Sequence, residues 1–132
     1  SHEQPKQAYQ QALALMRGKD HPQGIYLSTA NSMPVLKALD ELKLLGKVQV
    51  VATDLFQELI PLVEFGKVMA TLYQRPYTQG KVAFESLLRY LRGDDKSHPY
   101  VRLAPHVIFR SNLPLFSGHI VDTDEEIESE LP

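Results

Sequence analysis

The sequence of 132 residues contains no cysteine and no tryptophan. Without cysteine it has no disulfide framework, no thiolate metal site and no cysteine nucleophile, a pattern that fits the cytosol and the bacterial periplasm equally well. No apolar run approaches the roughly 20 residues of a membrane-spanning helix. The apolar content of 43% and the charged content of 23% are ordinary for a globular protein. With 132 residues, the chain is long enough for one domain, or part of one, with a single core.

Charge is distributed unevenly along the chain. The first 116 residues hold all 14 Lys and Arg and ten of the 16 acids, a formal charge of +4, whereas residues 117–132 hold six acids and no base. No basic cluster of the kind that contacts nucleic acid is present. We expect a folded unit over 1–116 and an acidic tail over 117–132 that cannot fold alone. The chain lacks an initiator Met and a signal-peptide pattern, and we expect it to be a fragment.

Hydrophobic periodicity predicts alternating helices and strands. The strongest element is the strand from Val48 to Asp54, whose valines suit a strand buried on both faces. Helices are predicted over 5–17, 33–45, 55–65 and 77–92, the third bent by Pro61, and strands over 25–29, 68–74, 101–103 and 106–110. This alternation predicts a three-layer α/β/α fold with a mainly parallel sheet.

Polar residues stand where three of these strands end. Asn31 follows the first, Asp54 ends the second and Gln74 ends the third. The carboxyl ends of parallel strands meet at one edge of the sheet, where α/β proteins bind ligands. A carboxylate accepts hydrogen bonds and amides both donate and accept them, which suits the hydroxyls of a polyol. Each residue also has a structural interpretation: Asn31, or Ser32 beside it, can cap the helix that follows, Asp54 can cap the next helix, and Gln74 can be a turn residue.

Three segments carry a family resemblance. They are Ala30-Asn31-Ser32 before an apolar helix, the segment from Val50 to Asp54, and above all the run from Gly66 to Gly80. Together they resemble the carboxyl-terminal part of the lactose-repressor family and the related type 1 periplasmic sugar-binding proteins, over roughly residues 5–116. The resemblance implies a partial type 1 periplasmic-binding-protein fold, part of a pair of lobes that close on a small molecule, usually a sugar.

The resemblance also implies roles for particular residues. Asp54 would accept hydrogen bonds from sugar hydroxyls, Asn31 and Gln74 would add donors and acceptors, and Tyr73 or Phe56 would stack on a ring face. The family often has Asp directly after the Asn, where this chain has Ser32, so the resemblance does not identify the ligand. By the family layout the chain crosses between lobes near residues 74–76, and the helix over 77–92 and the strand near Val107 belong to a lobe otherwise absent.

The segment over 105–116, which contains Arg110-Ser111, is similar to the carboxyl-terminal end of the ligand-binding domain of repressors. It favours the effector-binding part of a bacterial transcriptional regulator, which would bind a sugar or sugar derivative in the cytoplasm. Such a protein would be a homodimer, would need no cofactor and no membrane, and would contact DNA only through a helix-turn-helix upstream. The alternative is a periplasmic sugar-binding receptor of a transport system.

Other classes fit less well. A phosphoacceptor receiver domain also places an Asp where Asp54 stands, but it needs an acidic pair after an earlier strand, where this chain has Ser28-Thr29-Ala30-Asn31. The sequence contains no phosphate-binding loop, nucleophile elbow or zinc-protease motif, so we expect no enzyme. The five histidines are scattered without metal-ligand spacing, and we expect no metal site.

Overall fold

The computed structural model describes residues 5–29, 31–94 and 100–118. They form nine elements in the order α1 (Pro5–Met16), β1 (Gly24–Tyr26), α2 (Met33–Glu41), β2 (Gln49–Thr53), α3 (Ile60–Glu64), β3 (Ala70–Tyr73), α4 (Pro76–Leu91), β4 (His106–Phe109) and α5 (Pro114–Ser117). The four strands make one sheet in the order β1-β2-β3-β4, with β1, β2 and β3 parallel. The predicted α/β fold with a mainly parallel sheet is therefore confirmed.

One face of the sheet carries the core. The strand register places Val50, Ala52 and Ile108 on this face, and all three side chains are fully buried. The helices α2, α3 and α5 pack on it through apolar side chains, among them Leu36, Leu39, Val63 and Phe116. Helix α1 packs against α2 and adds Met16 to the same cluster. Burial of these side chains is the main source of stability of the lobe.

Among the residues described, the opposite face of the sheet is only partly covered. The strand register places five large apolar side chains there, which we name the open face: Tyr26, Val51, Leu72, Val107 and Phe109. Tyr26 is 58% exposed, Val107 44% and Phe109 46%. Within the described ranges, the helices in the core cluster pack on the core face and form one helix layer there.

Two predicted elements differ from the structure for local reasons. Helix α3 begins at Ile60 and not at residue 55, because Pro61 occupies its first turn, where a proline needs no N–H partner, and so starts the helix without bending it. Residues 101–103 were predicted as a strand but are irregular. The short helix α5 was not predicted, since four residues carry no periodic pattern.

The last strand lies in this sheet and not in a second lobe, so the prediction that the strand near Val107 belongs to an absent lobe is wrong. β4 pairs antiparallel with β3, with Tyr73 opposite His106 and Ala70 opposite Phe109. Asn112 closes the turn that follows, since its Nδ2 donates to the Val107 carbonyl at 3.0 Å and its Oδ1 accepts from the Phe109 N–H at 2.7 Å. Burial of Ile108 in the core holds the strand in place.

Helix α4 stands apart from the core. It runs for 16 residues and contributes no buried side chain. Its predicted apolar face is present and exposed, with Phe84 at 67% and Leu91 at 71%. That this helix belongs to the absent lobe stays a prediction. In the described part of the chain no helix combines the length and apolar content needed to cross a bilayer.

Candidate ligand-binding site

Asp54 lies directly after β2 at the carboxyl edge of the sheet. Its φ of 64° is in the left-handed region, which aspartate adopts more readily than most residues. Its N–H donates to the Leu72 carbonyl at 2.8 Å, and its own carbonyl accepts from the Thr71 hydroxyl at 2.5 Å. Because α3 begins only at Ile60, Asp54 does not cap that helix. These bonds hold Asp54 beside the end of β3.

Gln74 is the partner of the Asp54 carboxylate. The Gln74 backbone N–H donates to Oδ1 at 3.0 Å, and its side-chain Nε2 lies 3.5 Å from Oδ2. The structure therefore brings together two of the predicted site residues. Two carboxylate oxygens offer about four acceptor positions. The half-buried Asp54 carboxylate thus keeps roughly two acceptor positions for hydroxyl donors from a ligand.

The chain turns out of the sheet at this site. Arg75 has a φ of 58° and precedes α4, which begins at Pro76. The Gln79 Nε2 donates to the Gln74 carbonyl at 2.5 Å and so ties the first turn of α4 to the end of β3. Two residues with left-handed backbone therefore shape the site: Asp54, the acid of the acid–amide pair, and Arg75, which directly follows Gln74. The sequence analysis did not predict the contributions of Thr71 and Gln79. The only feature of the sequence that could have pointed to them is that both are polar residues within five positions of Gln74.

Asn31 stands on the loop from β1 to α2, at the same sheet edge. Its backbone N–H donates to the Thr29 hydroxyl at 3.2 Å, and its side chain is half-buried. Ser32 and not Asn31 occupies the N-cap position of α2, and the Ser32 side chain makes no capping hydrogen bond. The cap interpretation of Asn31 is therefore wrong. Its role in ligand contact stays a prediction.

The two predicted stacking residues contact protein groups. Tyr73 meets Phe116 edge to face, with ring centroids 6.3 Å apart, and lies on the core face of β3. Phe56 is half-buried against the core cluster. A stacking role for either ring stays a prediction. Among the residues described, no three His, Asp or Glu side chains are grouped so as to hold a metal ion.

The Thr71 hydroxyl is the buried group that fixes Asp54. We expect Thr71→Val to lower the free energy of unfolding by about 1 to 3 kcal/mol, because the Asp54 carbonyl loses its donor while the side-chain volume is kept. Urea unfolding measures this loss. Thr71→Ser keeps the hydroxyl and should cost about one buried methyl, roughly 0.8 kcal/mol. A Thr71→Val protein as stable as the unaltered chain would contradict this role.

Fold and site together define a class of protein. A mainly parallel sheet with an acid–amide pair at its carboxyl edge matches one lobe of a type 1 periplasmic-binding-protein fold. Residues 1–95 match the family described as the periplasmic binding protein domain. The chain belongs to this family.

Solved structures support the same fold. The chain is 25% identical to GanP, a glucose-galactose binding protein from Geobacillus stearothermophilus, with a TM-score of 0.73 over 86% of this chain and 41% of that one. A periplasmic solute binding protein of an ABC transporter from Actinobacillus succinogenes 130z, solved with bound D-allose, is 24% identical, with a TM-score of 0.72 over 86% of this chain and 40% of that one. The chain thus spans less than half the length of either structure.

The curated relatives are of a different kind, and both are glycine–tRNA ligase beta subunits. A stretch of 96 residues is 31% identical to the glycine–tRNA ligase beta subunit of Glaesserella parasuis serovar 5 (strain SH0165). The match covers 69% of this chain but 14% of that subunit. So small a share of the subunit gives no ground for transferring the activity of the whole enzyme to this chain.

Proposed function

We propose that this chain supplies one wall of a sugar-binding crevice. The observation that carries the proposal is the Asp54 carboxylate, which Gln74 holds at the carboxyl edge of a parallel sheet with acceptor positions left over. Sugar hydroxyls donate hydrogen bonds to such a carboxylate, and the Asn31 and Gln74 amides can donate to hydroxyl oxygens. Similarity to a glucose-galactose binding protein and to a receptor with bound D-allose supports this ligand class.

Binding without catalysis and without a cofactor is part of the proposal. The site offers hydrogen-bonding groups and no nucleophile–base pair, and the five site residues Asn31, Asp54, Phe56, Tyr73 and Gln74 include no thiol, imidazole or amine. Hydrogen bonds of the Asp54 carboxylate to the neutral hydroxyls of a polyol would contribute to binding without a metal or cofactor. The proposed role is recognition of a small molecule and its coupling to a second event.

Two couplings are consistent with such a crevice. The description of the D-allose protein as part of an ABC transporter supports a transport receptor. The order of β4, Arg110-Ser111 and α5 at the close supports a regulator of the lactose-repressor family. A regulator would be cytoplasmic and homodimeric and would contact DNA through an upstream helix-turn-helix. The residues encoded upstream of Ser1 in the parent gene distinguish the two roles. A helix-turn-helix there would support the regulator, and a signal peptide would support the transport receptor.

Titration calorimetry tests the sugar class. In the intact protein that contains this lobe, we expect saturable heat from at least one of D-glucose, D-galactose and D-allose, because each presents several hydroxyl donors to the Asp54 carboxylate. A cyclohexane carboxylate of similar size is the matched control and should give none, since its charge repels that of Asp54. If none of a panel of hexoses and pentoses binds, the proposed function is wrong.

A further inference from the structure

The amino edge of the sheet carries a concentration of positive charge. Four connections meet there, over residues 17–23, 42–48, 65–69 and 110–113, and together they hold six Lys and Arg residues and one acid, Asp20. These connections are brought to one edge because β1, β2 and β3 are parallel and β4 runs the other way. The six bases, which we name the basic edge, are all exposed: Arg17, Lys19, Lys43, Lys47, Lys67 and Arg110.

Two bases of the basic edge stand at adjacent points. The Lys67 side chain lies over Gly46, since a Cβ atom at Gly46 would be 3.1 Å from the Lys67 Cδ and 3.5 Å from its Nζ. Lys47 is the next residue of the same connection. Neither lysine forms an ion pair with another residue that the structure describes. Like charges at short range repel each other, so an acidic group that binds here is attracted by both lysines.

The basic edge lies at the far end of the lobe from the ligand crevice. A crevice of this fold lies outside the carboxyl ends of the strands, so a second lobe that closes on it lies at that end. Such a lobe would not cover the basic edge.

The acidic tail over 117–132 has the complementary charge, with six acids and no Lys or Arg. It starts near the carboxyl edge, because Phe116 contacts Tyr73 and His106, with ring centroids 6.3 and 5.5 Å away. Lys67 stands six residues before Tyr73, a distance of roughly 20 Å at about 3.3 Å per strand residue. The first acid of the tail, Asp122, comes six residues after Phe116. A chain of that length can therefore bring its acids to the basic edge.

We propose that the acidic tail binds to the basic edge of its own chain. Single ion pairs at an exposed surface are weak. Covalent attachment raises the local concentration of the tail to the order of millimolar, so several weak pairs made together are sufficient. The inference concerns the far end of the lobe and does not depend on sugar binding.

Carbodiimide cross-linking of the full chain at micromolar concentration tests the contact, because the reagent joins a carboxylate to an amine that touches it. We expect links from the tail acids to Lys47 and Lys67 to be at least about fivefold more abundant than links to Lys6 and Lys37. Those two are the matched control, since they are exposed lysines between the starts of α1 and α2, away from the basic edge. In about 1 M salt, where the screening length is about 3 Å, the preference should disappear. Links spread evenly over the four lysines, or no tail links at all, overturn the proposal.

Isotope mixing separates contact within a chain from contact between chains. Labelled and unlabelled chains are mixed in equal amounts before cross-linking, so a link within one chain has one label state and a link between chains can have both. We expect a single label state in the tail links. A majority of links with mixed label would place the tail on another copy and would overturn the proposal.

Charge exchange tests the role of the two lysines. A fluorophore on Ser129→Cys reports the motion of the tail, because the chain contains no cysteine of its own. We expect Lys47→Glu with Lys67→Glu to lower the anisotropy of the fluorophore to the value that the unaltered lysines give in about 1 M salt. Adding Glu125→Lys with Glu126→Lys to those changes should restore it, since the charges are then exchanged across the contact.

Lys6→Glu with Lys37→Glu is the control for the anisotropy experiment. It makes the same change of net charge at exposed positions away from the basic edge and should leave the anisotropy unchanged. An anisotropy that falls equally for both pairs of changes, or for neither, overturns the proposal.

Discussion

Replacing Leu39 by alanine is expected to lower the free energy of unfolding by about 2 to 5 kcal/mol, the range for a leucine removed from a packed core. Leu39 is fully buried on α2, in the cluster that joins α2, α3 and the core face of the sheet. Its backbone carbonyl also accepts from the N–H groups of Leu44 and Leu45, so the backbone at Leu39 has little freedom to fill the cavity. Urea unfolding at fixed protein concentration measures the loss.

Leu15→Ala is the matched control for that experiment. Leu15 lies on α1 and is 61% exposed, so the same truncation there should change the free energy of unfolding by less than about 0.5 kcal/mol. Equal losses at the two positions would show that α2 does not carry the core and that the packing of this lobe differs from the structure described above.

Replacing Asp54 by alanine is expected to weaken sugar binding by about 1.5 to 3 kcal/mol, roughly 10- to 150-fold in dissociation constant, the range for hydrogen bonds to a charged group. The carboxylate is held by Gln74 and lies at the carboxyl edge, where a ligand of this fold would bind. The fold should survive, because the backbone bonds of Asp54 to Leu72 and Thr71 do not involve its side chain. Titration calorimetry on the intact protein gives the number.

Asp40→Ala provides the comparison. Asp40 is an exposed acid on α2 and should leave the affinity unchanged. Asp54→Asn keeps the size of the side chain and one acceptor oxygen, so its affinity should fall between those of the unaltered protein and Asp54→Ala. If Asp54→Ala binds as tightly as Asp40→Ala, the ligand does not contact this carboxylate, and Asn31 and Gln74 lose their main support as site residues.

The strand ends were predictable because they depend on local chemistry. The valine-rich run before Asp54 specifies a buried strand, and parallel pairing then brings the ends of β2 and β3 together. The hydrogen bonds between Asp54 and Gln74 follow from that register. The positive φ angles of Asp54 and Arg75 could not be predicted, because neither position is a glycine, the residue that usually marks a left-handed backbone.

The direction of β4, the start of α3 and the open face of the sheet could not be predicted, because they depend on tertiary contacts that no local stretch of the sequence encodes. The direction of β4 is set by its pairing with β3 and by burial of Ile108, and four residues of strand pattern fit either direction. Helix α3 starts at Ile60 because Pro61 is tolerated only in the first turn of a helix, although the apolar spacing of the preceding residues fits an earlier start. The open face was hidden for the same reason, since alternation within a strand does not tell which of its two faces a helix covers.

The antiparallel pairing of β3 with β4 makes these two strands a hairpin with an unusually long connection. Tyr73 lies opposite His106, so about 30 residues that include α4 leave and return at one point of the sheet. Relative to a two-residue turn, closing such a loop costs roughly 2.5 kcal/mol of chain entropy, about four doublings in length. The connections between β1, β2 and β3 are shorter, so the pairing of β4 carries the largest loop-closure cost of the three strand pairings. By the same topology, a short turn from Tyr73 to His106 would leave the pairing of β3 with β4 intact, so the sheet does not depend on α4 for its continuity.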